Sequence, residues 1–233
     1  MIEVDGLCKR YGGVAALDGV GFVARPGRVT GFLGPNGAGK STTLRVLLGL
    51  ARAGSGSATV QGRRYAQLRH PLRTVGALLE EAGPLPERRA VDHLMWLALS
   101  NGIARRRVRE VLELAGLASR ARQRTGRYSL GQRRRLGIAA ALLGEPEVLI
   151  LDEPANGLDP DGMRWVRRLA REAAAEGRTV LLSSHVMADV AETADDVVII
   201  HRGRVVADGP LGTVVAAHGT LEAAFFALTG GAR

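Results

Sequence analysis

The sequence predicts an α/β fold: short buried parallel strands alternating with helices, an antiparallel β layer near the N-terminus and a helical insertion in the middle. Three observations carry this prediction. Val148-Leu149-Ile150-Leu151 and Val180-Leu181-Leu182 are short, wholly apolar runs, as expected of parallel strands buried on both faces. Residues up to about Phe32 alternate short apolar runs with Gly and Pro, the pattern of antiparallel strands and turns. From about Glu81 to Ala141 the apolar spacing turns helical.

In chain order, residues 29–33 predict a strand and residues 42–50 a helix with Leu44, Leu47 and Leu48 on its apolar side. Residues 55–76 return to strand-like segments and turns. Residues 91–101 and 105–115 have helical spacing, with Gly102 and Gly116 beside their ends. The apolar strand at 148–151 is followed by a crossover helix over 163–176 and a strand over 179–184. A closing strand pair, 197–200 and 205–208, turns at Arg202-Gly203. No internal repeat or low-complexity linker interrupts this order. The expected organisation is one domain over 1–233. Residues 1–80 and 142–233 form its core and β subdomain, and 81–141 its helical subdomain.

A length of 233 residues and a mean hydropathy near zero suit one well-buried core. The longest apolar stretch, around 136–144, is far short of the roughly eighteen residues a membrane span needs. The start, Met1-Ile2-Glu3-Val4-Asp5, is acidic and lacks a signal-peptide apolar region. Cys8 is the single cysteine, which excludes an intrachain disulfide and fits a reducing, cytoplasmic compartment. The net charge of +9 is carried almost wholly by Arg. Clusters such as Arg105-Arg106-Arg107 and Arg133-Arg134-Arg135 lack the interleaved aromatics that stack bases, so they read as a solvated basic face near an anionic membrane rather than a nucleic-acid footprint.

Gly34-Pro35-Asn36-Gly37-Ala38-Gly39-Lys40-Ser41 fits the phosphate-loop pattern G-x-x-x-x-G-K-[ST]. Its glycines permit the positive φ angles of a backbone nest, whose N–H groups surround phosphates. Lys40 can reach the β/γ-phosphates and the Ser41 hydroxyl can ligate Mg²⁺. Lys9 and Lys40 are the only lysines, so a lysine at this position is informative. The flanking strand and helix supply the context the motif requires.

A second element follows the strand at 148–151. Asp152 and Glu153 stand at its C-terminal end, where open α/β sheets bind ligands. Asp152 is placed to hold Mg²⁺ and Glu153 to polarise the attacking water. Pro154 then breaks the chain, Asn156-Gly157-Leu158-Asp159-Pro160 forms a tight turn, and Asp159 is positioned to cap the next helix. His185, directly after the strand at 179–184, reads on spacing alone as a capping or core residue.

Tyr128-Ser129-Leu130-Gly131-Gln132 lies upstream of Asp152. Taken in order, the phosphate loop, this motif, Asp152-Glu153, the turn to Asp159 and His185 resemble the nucleotide-binding subunits of ABC transporters. The likeness runs essentially end to end, and it is strongest to the bacitracin- and daunorubicin-resistance type of export ATPase. The segments that point there are Val75-Gly76-Ala77-Leu78-Leu79-Glu80, Ser129-Leu130-Gly131 and Leu221-Glu222-Ala223-Ala224-Phe225. The resemblance implies the ABC ATPase fold: a P-loop NTPase with a RecA-like core, an N-terminal antiparallel β subdomain and an inserted α-helical subdomain.

It further implies a Mg²⁺-dependent ATP hydrolase that binds two ATP molecules in a sandwich dimer. Each ATP would sit on one subunit's loop and be closed by the other subunit's signature motif. The start of the helix at Ser129 and Gly131 favours a γ-phosphate through its positive dipole end. By the same likeness Tyr11 stacks on adenine, and the loop from Gly34 to Ser41 with Thr42 holds the phosphates. Ser129, Gly131 and Gln132 face the partner's nucleotide, and Asp159 communicates between sites. Glu153 is the base, Lys40 and His185 contact the γ-phosphate, and Ser41, Asp152 and Glu80 are the metal candidates. Two positions depart from the family pattern: Tyr128 and Leu130 stand in the signature, and Glu80, followed by Glu81, stands where Gln is usual.

The implied partners are an integral-membrane permease and a second copy of the chain or a homologous ATPase subunit, with no nucleic acid. The implied location is peripheral, on the inner face of the cell membrane. Three other readings share motifs with this one: a soluble ABC ATPase acting on ribosomes or DNA, an importer subunit, and a regulatory subunit that binds ATP but scarcely hydrolyses it. The single nucleotide domain without sustained heptads disfavours the first, and intact Lys40, Asp152 and Glu153 disfavour the last.

Overall fold

A computed structural model describes residues 1–80 and 83–230. Glu81 lies outside the described residues. In chain order the elements are β1 (Ile2–Tyr11), β2 (Val14–Ala24), β3 (Val29–Leu33), α1 (Lys40–Leu47), β4 (Ser55–Val60), α2 (Pro71–Thr74) and β5 (Val75–Leu78). They continue with α3 (Ala90–Ser100), α4 (Arg105–Leu114), α5 (Leu130–Leu142), β6 (Val148–Asp152), α6 (Pro160–Ala175) and β7 (Thr179–Ser184). The chain closes with α7 (Met187–Thr193), β8 (Asp196–His201), β9 (Arg204–Pro210), α8 (Leu211–His218) and α9 (Leu221–Thr229). By its contacts the chain divides into two units, residues 1–68 with 167–233 and residues 69–166.

In the first unit, β1 pairs antiparallel with β2 (Ile2 opposite Ala24) and with β4 (Ile2 opposite Val60). This is the N-terminal β layer that the Gly and Pro punctuation predicts. A second sheet runs β7-β3-β8-β9. Its first three strands are parallel, with Leu33 opposite both Ser184 and Ile199, and β9 closes it antiparallel to β8. Every residue of β3 and β7 is buried, which agrees with the wholly apolar run Val180-Leu181-Leu182 inside β7. Phe22 of β2 and Phe32 of β3 meet with ring centroids 5.1 Å apart, joining the two layers. Leu44 and Leu47 bury one face of α1, each worth about 2 kcal/mol.

The second unit pairs β5 and β6 in parallel, Leu78 opposite Leu151, and packs helices against them. The insertion expected at 81–141 lies inside this unit. Two glycines let α5 approach β5 closely: a Cβ on Gly76 would stand 2.0 Å from Ala141 O, and one on Gly137 would stand 2.6 Å from Leu78 Cδ1. The buried faces of α3 and α4 (Leu94, Ala98, Val108, Val111) form the rest of its core.

Helix boundaries moved by a few residues. The helix predicted at 42–50 starts at Lys40, because the last residues of the glycine loop are already its first turn. The segments α7, α8 and α9 had no sequence-based prediction. Among the described residues no single helix is long and apolar enough to cross a membrane.

Candidate functional site

The first unit holds the phosphate loop. β3 delivers the chain into it, fully buried as far as Gly34, and α1 leaves it at Lys40. Gly37 and Gly39 adopt φ of 79° and 114°, the left-handed conformation that glycine alone takes without strain. A Cβ on Gly39 would stand 2.9 Å from Ala16 O, and one on Gly34 would stand 2.5 Å from Ile200 O, so the loop is pressed against β2 and β8. Ala38 N–H donates to Pro35 O at 3.1 Å, and Gly203 N–H donates to Ala38 O at 2.9 Å. Asn36 and Gly37 remain exposed at the tip.

Lys40 is 6% exposed, and its Nζ donates to Gly34 O at 2.5 Å, across the loop. Ser41 and Thr42 follow on the first turn of α1, half-buried. Together these residues form a cradle of backbone N–H groups at a helix N-terminus, with one ammonium and one hydroxyl beside it. That donor set fits a polyphosphate.

His185 belongs to the same unit. Leu33 and Ser184 are register partners, so Gly34 and His185 leave adjacent parallel strands at the same level. His185 is exposed there. Tyr11 ends β1 with its ring half exposed and Lys9 Nζ 4.9 Å from its centroid. Its hairpin leads into β2, whose Ala16 and Leu17 line the loop at Gly39.

The second unit holds the carboxylates and the Ser129 motif. Asp152, the last residue of β6, is 1% exposed and Glu153 is 6% exposed. Glu153 has φ 49°, a left-handed conformation rare outside glycine and a sign of local strain. Among the described residues no three His, Cys, Asp or Glu side chains form a metal cage. The donors instead fit Mg²⁺, which typically takes one or two carboxylates and completes its shell with phosphates and water.

Ser129 is the N-cap of α5 in a reciprocal capping box. Gln132 N–H donates to Ser129 Oγ at 3.2 Å, and Ser129 N–H donates to Gln132 Oε1 at 3.1 Å. Tyr128 is buried, and its hydroxyl donates to Arg120 O at 2.8 Å, which anchors the approach to the motif. Asp159 does cap the next helix: Gly162 N–H donates to its Oδ1 at 2.8 Å. A cavity of about 500 Å³ opens between these turns, lined by Arg120, Ser129, Gln132, Arg135, Leu158 and Asp159 among others. Gly131 lies on its wall, with Gly157 O 3.1 Å from where a Cβ would be.

The three arginines after Gln132 correct one expectation. They read as a solvated basic face, but only Arg133 is exposed. Arg134 is 8% exposed, and Arg135 stacks over Trp165 with its guanidinium carbon 4.7 Å from the ring centroid. Burial pulls the Arg134 guanidinium below its ordinary pKa, against the attraction of Glu80, Asp152 and Glu153. The available signal was helical phase: position 134 shares its face with Gly137, Ile138 and Ala141 rather than with Arg133.

The family model described as ABC transporter matches residues 17–156. The bacitracin transport ATP-binding protein of Bacillus licheniformis is 39% identical over 213 residues, covering 90% of this chain and 70% of its own. The lantibiotic transport ATP-binding protein of Streptococcus pyogenes is 35% identical, covering 88% of this chain and 89% of its own. A solved structure of an ATP-binding subunit of an ABC transporter is 30% identical, with a TM-score of 0.89 over 98% of this chain and 99% of that one.

Proposed function

We infer from one premise, that the chain belongs to the ABC transporter family as an ATP-binding subunit, that it hydrolyses ATP with Mg²⁺ to drive export through a separate membrane permease. The observation that carries this reading is that one chain holds two different phosphate-directed elements. The glycine nest with Lys40 can hold a nucleotide, and the capped start of α5 presents a second helix N-terminus beside an open cavity.

In this reading Gly34 through Thr42 hold the phosphates, with the Lys40 ammonium directed to the β/γ oxygens. Tyr11 carries the adenine ring. Ser41 and Asp152, with Glu80 as a third candidate, would hold Mg²⁺, which would supply charge neutralisation to the phosphates. Glu153 accepts a proton from the attacking water as that water bonds to the γ-phosphorus and the bond from that phosphorus to the β–γ bridging oxygen breaks, with ADP as the leaving group. His185 donates a hydrogen bond to the γ-phosphate. Ser129, Gly131 and Gln132 of a second copy, or of a homologous subunit, close the site and exclude bulk water. Asp159, capping α6 and lining the same cavity, transmits closure between the two sites.

The chain is then peripheral to the inner face of the membrane, held there by its permease. Two of its relatives are ATP-binding proteins for transport of bacitracin and of a lantibiotic, which favours a peptide-like antimicrobial as cargo. ATP turnover by the purified chain tests the hydrolytic reading. Release of phosphate should require Mg²⁺ and should fall at least about a hundredfold in Glu153→Gln. Unchanged turnover in that variant removes Glu153 from the role of base.

A further inference from the structure

Ala16 is a bulge in the pairing of β1 with β2: Lys9 stands opposite Leu17 and Arg10 opposite Ala15, so Ala16 is skipped. Its carbonyl is flanked by two glycines from elsewhere in the chain. A Cβ on Gly39 of the phosphate loop and one on Gly203 of the β8–β9 turn would each stand 2.9 Å from Ala16 O. Gly203 also joins loop and strand by hydrogen bonds. Its N–H donates to Ala38 O of the loop at 2.9 Å, and Asp18 N–H of β2 donates to Gly203 O at 2.8 Å. The turn has φ of 47° at Arg202 and 77° at Gly203, between the paired His201 and Arg204. Both central residues are left-handed, which Arg202 adopts at a cost. Arg204 adds a tie at the surface, its Nε donating to Asp18 Oδ2 at 2.8 Å.

We propose that Gly203 is a positioning residue of the nucleotide site: it fastens the phosphate loop and β2 to one junction at Ala16, and so fixes the span between the loop and Tyr11. The proposal rests on the reading of the loop as the phosphate holder and of Tyr11 as the adenine platform. Tyr11 pairs with Val14, two residues before Ala16, so the bulge lies between the platform and the loop. The adenine and the phosphates of ATP are covalently linked, and two linked contacts reinforce each other only when the span between their sites matches the ligand. A side chain at position 203 would press on β2: the three atoms nearest its Cβ are Ala16 O, Ala16 C and Leu17 Cα. The loop would keep its nest while the hairpin that carries Tyr11 is displaced.

The test is calorimetric titration of wild type, Gly203→Ala, Tyr11→Ala and the double variant, with Mg·ATP and with inorganic tripolyphosphate. Gly203→Ala should weaken ATP binding about tenfold and tripolyphosphate binding less than about twofold, because only ATP uses both ends of the span. In the Tyr11→Ala background Gly203→Ala should change ATP affinity by less than about twofold, since the contact it misplaces is already gone. Damage to the loop itself would weaken both ligands alike. Equal losses for ATP and tripolyphosphate, unchanged ATP affinity, or a full further loss in the double variant overturns the proposal. Should Gly203→Ala fail to fold, Arg204→Gln decides. It should weaken ATP binding about threefold with tripolyphosphate unchanged, and the charge swap Asp18→Arg with Arg204→Asp should restore it. No loss, or no recovery in the swap, overturns the proposal. Tyr11→Ala that binds ATP as wild type does overturns the adenine reading, whereas a loss in Tyr11→Ala with no response to Gly203→Ala overturns only the junction.

Discussion

Leu130 covers Gly157: a Cβ at position 157 would stand 2.3 Å from Leu130 Cδ2 and 2.6 Å from its Cγ. Leu130 begins α5 with 58% of its surface exposed, and Gly157 turns at φ 75°. The larger residue in the Ser129 motif is therefore matched by the absence of a side chain in the turn before Asp159. The two turns pack as one surface beside the cavity.

Gly157→Ala should destabilise the protein by about 1–2 kcal/mol in urea unfolding, from left-handed strain together with displacement of Leu130. In the double variant with Leu130→Ala the steric part should disappear, leaving about 1 kcal/mol of backbone strain. A Gly157→Ala protein as stable as wild type would show that the contact is slack.

Lys40→Met keeps the aliphatic stem of Lys40 and removes its charge. ATP affinity should fall about thirtyfold or more, as a charge-assisted hydrogen bond is lost. The nucleotide-free protein should also lose about 1 kcal/mol, since Gly34 O loses the donor it has from Lys40 Nζ. Fluorescent-nucleotide titration and thermal unfolding measure the two effects separately.

His93 on α3 gives a pH dependence. Burial, reinforced by the charge of Arg88, lowers its pKa from 6.5, and its Nδ1 is buried without a hydrogen-bond partner. Below 6.5 the unfolded chain binds a proton that the folded chain resists. Stability from this group is therefore complete above 6.5 and is lost as pH falls through the window beneath it. His93→Gln should flatten the fall in stability between about pH 7 and pH 5 relative to wild type. An identical slope in both proteins would remove His93 as its source.

The phosphate loop and β6 were legible in the sequence because their chemistry and burial are local. Positive-φ glycines, a fixed lysine and an unbroken apolar run need no tertiary context to be recognised. The segments α7, α8 and α9 were not legible: each is short, and Gly219 and Thr220 interrupt the last two. Arg134 was missed for a different reason. Composition placed it in a basic run, and only the phase of α5 against β5 separates a buried guanidinium from its exposed neighbour Arg133. The match of Leu130 to Gly157 joins residues far apart in sequence, so no local pattern discloses it.

Sedimentation velocity of Glu153→Gln with and without Mg·ATP tests the central claim most directly, that the phosphate loop is half of a site completed by another subunit's Ser129 motif. With hydrolysis blocked, ATP should convert the variant to a stable dimer, while ADP should leave it monomeric. A Glu153→Gln protein that binds ATP yet sediments as a monomer at every concentration tested would contradict the account.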